Sequence, residues 1–278
     1  MKPHQAAAVI KKYLPLYILT IIIALAMRHI SKSNDSDALL WILSPTAWWV
    51  SILSGIRFEY LPHMGFVNHF YKFLIAPECG GCRFMLIIFL MLVFSFLYRI
   101  KSAKSGYIWF AASVVFSYVY TILVNGIRIT ASIYVPIILE NMGLIGGGLT
   151  QDRLHTIIGT ATYFSFMCAA YPLVDFACQR FFTQSDIEAD VVQLSGKESD
   201  IAQQDNFAAH SCKFFIPVFW YLLAVLVIPF AGRLYRQEWE GFAQYTALIA
   251  GVCFAIAFVR YLIGLIIYRK KLPRLKKR

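Results

Sequence analysis

Long stretches without a charged side chain constrain this sequence more than any other feature. Tyr13 to Met27, Phe84 to Tyr98, Gly106 to Val124, Thr156 to Val174 and Phe214 to Phe230 contain no Asp, Glu, Lys or Arg. Lipid has no water to satisfy free backbone N–H and C=O groups, so only helices and closed barrels can cross it. Barrel strands would alternate apolar and polar residues at every second position, and these runs do not. The expected fold is therefore an all-α polytopic membrane protein. Composition agrees: 59% of the 278 residues are hydrophobic. The net charge of +11 does not mark a nucleic-acid binder. Much of it lies in the tail at 269–278, which reads as a cytoplasmic anchor beside anionic lipid. The expected partner is the lipid bilayer, not nucleic acid.

Taken in order, the first run, 13–27, lies between Lys11-Lys12 and Arg28-His29. Its length also suits a signal peptide, but no small-x-small cleavage site follows, so it is read as a retained anchor with its N-terminus inside. The run 39–53 carries Pro45 and the pair Trp48-Trp49, which favours an interfacial helix. Residues 55–76 mix aromatic and polar groups and suit a surface or re-entrant stretch. Spans at 84–98 and 106–124 flank the basic loop 99–104. A further span covers 156–174, an acidic linker follows, and two more spans occupy 214–230 and 242–268. Six spans result, with seven or eight as the alternatives. Three regions follow: a membrane core at 1–176, a linker at 177–212, and a two-helix module with a basic tail at 213–278. Cys168, Cys178, Cys212 and Cys253 lie in or near apolar segments and are read as small buried hydrophobes.

Parity sets a topology. The basic loop at 99–104 and the basic tail both belong in the cytoplasm, and four spans separate them. The helix at 84–98 then runs from outside to inside, which puts Cys79, Arg128 and His155 together on the outer face. Cys79 precedes a helix N-terminus, where unpaired N–H groups and the helix dipole favour the thiolate, the reactive form of cysteine. Gly80 and Gly81 would let a substrate backbone approach. Arg128, at a span end, could offer fixed donors to a developing oxyanion. His155 opens its helix and could serve as a base, and Gly159 lies one turn on, where it would allow close packing. Each has a plainer reading: a buried structural thiol, an arginine snorkelling to phosphate, and a satisfied interfacial histidine. Only their joint placement on one face argues for chemistry.

The set Cys79-Gly80-Gly81, then Asn125-Gly126-Ile127-Arg128, then His155 with Gly159 resembles the signature of the exosortase and archaeosortase family. Phe58-Glu59-Tyr60, Asn68, Ala76-Pro77 and Arg83-Phe84 resemble its exosortase K branch. The resemblance covers about residues 1–176. It implies a cysteine protease or transpeptidase of the cytoplasmic (inner) membrane, with its active site on the periplasmic or extracellular face. Cys79 would be the nucleophile, His155 the general acid and base, and Arg128 the oxyanion stabiliser, with Gly81, Asn125 and Gly159 in support. The implied partners are the C-terminal sorting signal of exported proteins and an acceptor nucleophile (lipid, glycan or water). Neither a metal nor an organic cofactor is implied. Cys82 departs from the family pattern. With Cys79 it forms a Cys-x-x-Cys, which also suits a membrane thiol–disulfide oxidoreductase. A non-catalytic scaffold is the third reading, and it would need none of these residues.

Overall fold

The computed structural model describes residues 3–31, 35–100, 102–144, 150–180, 216–227, 230 and 243–259. Most of the linker and the whole basic tail lie outside the described residues, as does Cys212. The chain is mostly helical: α1 (Pro3–Ile30), α2 (Leu40–Ser54), α3 (Cys82–Phe96), α4 (Ala103–Asn141) and α5 (Gln151–Cys178). Two shorter apolar helices follow, α6 (Ile216–Val227) and α7 (Ala243–Val259). Four segments are long and apolar enough to cross a membrane: Lys11–Ile30, Pro77–Arg99, Ala103–Asn141 and Gln151–Cys178. They coincide with the first four expected spans. This is a helical protein of membrane type.

The expectation of an all-α fold needs one amendment. Between α2 and α3, three short strands, β1 (Glu59–Leu61), β2 (Gly65–Asn68) and β3 (Phe73–Ile75), form an antiparallel sheet in the order β1-β2-β3. Glu59 pairs with Val67 across the first hairpin, and Val67 with Leu74 across the second. Strands this short carry too little alternation to stand out among the polar and aromatic residues at 55–76. Their turns depend on left-handed backbone at His63 (φ 61°) and Lys72 (φ 49°). Neither is a glycine; Pro62 and Gly65 (φ 117°) bracket the first turn and Asn68 opens the second, its Oδ1 accepting from Tyr71 N–H at 2.8 Å.

α3 is the central helix. Its apolar window is 78% buried against 17% for that of α1, so α1 lies at the periphery with its apolar side chains outward. Phe84, Ile88, Met91, Leu92 and Phe96 are buried in the main core with Phe164, Met167 and Tyr171 of α5. At one end of the bundle the Tyr13 hydroxyl donates to the Ile100 carbonyl (2.8 Å). At that same end, Arg99 Nη1 meets Asp175 Oδ1 at 2.6 Å and Nη2 donates to the Tyr171 hydroxyl at 3.1 Å. At a rise of roughly 1.5 Å per residue, Arg99 to Gly81 spans about 27 Å and Asp175 to His155 about 30 Å. A bilayer's hydrocarbon is about 30 Å thick. The bundle therefore has a polar layer at each end, one hydrocarbon thickness apart. α6 packs on it, with Trp220 Nε1 donating to Ser95 Oγ (3.0 Å) and Phe164 edge-on to Tyr221.

α4 departs from expectation. The polar group Asn125-Gly126-Ile127-Arg128 suggests the end of a span, yet the helix runs on unbroken to Asn141. Its polar residues Ser113, Ser117, Thr121, Asn125, Arg128 and Ser132 recur at three- and four-residue spacing and are all buried. They form one inward face, whose Asn125 and Arg128 lie at the bundle end as expected while the helix continues beyond it. α2 differs too, for it packs lengthwise along α4 instead of lying across the bundle. The Tyr118 hydroxyl donates to the Trp41 carbonyl, Trp49 Nε1 to the Leu123 carbonyl, and the Tyr134 hydroxyl to the Ser54 carbonyl. Both helices advance together along that ladder, so they are parallel. A Cβ at Gly126 would overlap the Trp49 indole, and only glycine admits the ring there.

Candidate active site

The chain enters the site from β3. Pro77 sits in the first turn of a short 3-10 helix (Pro77–Gly80), and Cys79 N–H donates to the Ala76 carbonyl at 2.8 Å. Gly81 then takes a left-handed conformation, φ 77°, and α3 begins at Cys82. Cys79 thus lies on its own turn, just ahead of the helix. A Cβ on Gly81 would come within 3.0 Å of Asn125 Cγ and Thr121 Cγ2. Backbone angle and close approach both require glycine there, and this fit seats the Cys79 turn directly on α4.

Asn125 makes that contact specific. It is fully buried, and its Nδ2 donates to the Cys79 carbonyl at 2.6 Å. Its Oδ1 accepts from the Tyr163 hydroxyl at 2.7 Å and from Arg128 Nη1 at 3.3 Å. Arg128, 6% exposed, donates through Nη1 to the Tyr163 oxygen at 2.9 Å, and its Nη2 lies 3.1 Å from His155 Nε2. Guanidinium can only donate, so His155 Nε2 accepts and the imidazole carries its proton on Nδ1. Arg128 Nε has no hydrogen-bond partner, and the Cys79 side chain is close enough to the guanidinium to interact with it.

α5 supplies the remaining wall. Thr150 caps it, its Oγ1 accepting from Arg153 N–H at 3.3 Å, and His155 follows, exposed, in the second turn. His155, Gly159 and Tyr163 recur every four residues and share one face. A Cβ on Gly159 would lie 3.8 Å from Arg128 Nε, an ordinary contact. Gly159 therefore faces the guanidinium as expected, but the packing there does not demand a glycine.

All six expected site residues (Cys79, Gly81, Asn125, Arg128, His155 and Gly159) thus gather at one end of the bundle. Among the described residues, no hydrogen bond joins His155 to Cys79, and Arg128 bonds to the imidazole instead. Catalytic hydrogen bonds often tighten only when substrate is bound. Cys79 and Cys82 are not joined to each other by a disulfide, and Cys168, Cys178 and Cys253 are buried. Two residues of the cluster, Tyr163 and Thr121, escaped the reading of the sequence. The available signal was position: each lies four residues before or after a named one, on the same helix face.

A separate group lies on the loop before α2 and the β1–β2 turn. Asp35, Asp37 and His63 hold three potential metal-ligand atoms within 4.8 Å of one another. His63 Nδ1 pairs with Asp37 Oδ2 at 3.1 Å, and the Tyr60 hydroxyl donates to Asp37 Oδ1. These contacts clasp the sheet to the end of α1. The chain matches no family model, no curated protein and no solved structure.

Proposed function

We propose that this chain is a membrane-embedded cysteine peptidase or transpeptidase. In this reading it acts on the C-terminal sorting signal of exported proteins at the outer face of the cytoplasmic membrane. One observation carries the reading: a thiol, a buried guanidinium and an imidazole, drawn from three separate helix regions, converge through Asn125 and Tyr163. Oriented donors beside a thiol at a bundle end are what acyl transfer needs.

Cys79 Sγ attacks the scissile carbonyl carbon and forms the C–S bond. Arg128 donates to the oxyanion through its unpaired Nε. As substrate enters, His155 Nε2 exchanges its bond to Arg128 Nη2 for the thiol proton, then returns that proton to the departing amine as the C–N bond breaks, leaving a thioester. An acceptor hydroxyl, amine or water then attacks the thioester and releases the thiol.

The test is processing, in native membranes, of a tagged substrate ending in a hydrophobic span and a basic tail. Cys79→Ala should abolish cleavage, whereas Cys82→Ala should retain it. Equal loss with both would favour the thiol–disulfide oxidoreductase, and unchanged cleavage with Cys79→Ala would remove the nucleophile.

A further inference from the structure

Arg128 carries its charge with little to fix it in place. Its side chain forms no ion pair with a carboxylate among the described residues. Nη2 meets an imidazole, Nε meets nothing, and the contact from Nη1 to Asn125 is long at 3.3 Å. The short bond at 2.9 Å is to the Tyr163 hydroxyl, and that hydroxyl in turn donates to Asn125 at 2.7 Å. Among the described residues it is the one group that bonds both residues, donating to Asn125 and accepting from Arg128. The Tyr163 ring is held independently, stacked on Phe84 at 4.5 Å between centroids and 10° between planes.

We infer that Tyr163 is a positioning residue for the reaction proposed above, holding the Arg128 guanidinium and the Asn125 amide in register with Cys79. The inference rests on that reading of the site. The hydroxyl fixes which way Asn125 faces: with Oδ1 taken by Tyr163 and Arg128, Nδ2 is left for the Cys79 carbonyl. Without it, Arg128 Nη1 keeps only its long bond, and Asn125 Oδ1 loses its shortest one. Among the described residues, no hydrogen bond joins Tyr163 to the thiol; its hydroxyl bonds to Arg128 and Asn125, and it acts through them.

Tyr163→Phe removes one oxygen and keeps the stacked ring, so it is the informative substitution. In the full chain in membranes, kcat should fall roughly 10- to 100-fold with KM within about twofold, because oxyanion donors act in the transition state. In an Arg128→Ala background, the Tyr163→Phe loss should shrink to less than about half of its wild-type size on a logarithmic scale, since one of the two residues it positions is gone and only the Asn125 contact is left. A loss of equal size in both backgrounds, or a change confined to KM, would overturn the proposal and leave Tyr163 a packing residue. Labelling of Cys79 by a small maleimide, at wild-type extent, establishes that the variants fold. Should the wild type show no Cys79-dependent cleavage, the peptidase reading falls, and the same cycle is read in the rate of Cys79 alkylation by iodoacetamide. A Tyr163→Phe effect that shrinks as much in the Arg128→Ala background would retain the positioning role, and no effect in either background would overturn it.

Discussion

The two ends of the bundle hold the same pair of residue types to different ends. At one, Arg99 bonds to Tyr171 and Asp175, and Gln179 donates to the same carboxylate. At the other, Arg128 bonds to Tyr163 and Asn125, and an imidazole stands where the first site has its carboxylate. The first arginine is neutralised within the fold, and its guanidinium also lies 4.8 Å from the centroid of Phe96. The second is more deeply buried, has no anionic partner among the described carboxylates, and keeps a donor unused. A buried charge held this way is costly. The difference separates an arginine neutralised within the fold from one left open, in the proposed function, to meet a substrate oxyanion.

Removing each arginine breaks or sharpens that comparison. Arg128→Ala should lower turnover at least about 100-fold while the protein stays folded, read as cleavage per mole of Cys79-reactive protein. Asp175→Asn should do the reverse. Taking one partner from a largely buried pair costs about 3 kcal/mol, so thermal unfolding in detergent should come earlier while activity per folded molecule persists. If Asp175→Asn silenced the site with stability intact, the structural role assigned to the Arg99 end would be wrong.

The glycines give smaller effects. Gly81→Ala must place a side chain at φ 77° and 3.0 Å from Asn125 and Thr121, so cleavage should fall more than about 10-fold. Gly159→Ala adds a methyl at ordinary contact distance from Arg128 and should cost less than about twofold. A severe Gly159→Ala defect would mean that the space beside the guanidinium must stay open for substrate.

The smallest expected effect is a pH response in the sheet that leads into the site, outside the cluster itself. The Tyr60 hydroxyl, with help from His63, holds the Asp37 carboxyl below its usual range. A depressed folded-state pKa adds stability above the unfolded value of about 3.9 and loses it as pH falls through the folded value. The unfolding midpoint should therefore drop below about pH 4, and Asp37→Asn should flatten that part of the curve.

The sequence made the helices legible because charge-free runs are written residue by residue, and the three ionisable or nucleophilic site residues stood out at their ends. Tyr163 did not, since a tyrosine inside an apolar run looks like core until a partner is seen across the helix interface. The continuity of α4 was hidden for a related reason. Asn125 and Arg128 do lie at the level of the bundle end, but they also belong to a buried stripe whose neighbours are three and four residues away, and the helix runs on past them. The sheet was hidden because its strands are only three or four residues long, so that Pro62, Gly65 and Asn68 at its turns read equally well as a surface loop.

One consequence follows from α4 being a single helix. Arg128 and Asn125 sit at a fixed count of residues from the Arg99 end, on a strut that cannot shorten without losing backbone hydrogen bonds. In the proposed reaction the thiol is thereby held at a set height, and the bundle is a gauge against the lipid around it. On that proposal, a thicker bilayer would draw the site under its hydrocarbon and a thinner one would lift it clear, which would make membrane composition a control on which part of a tethered substrate reaches the thiol.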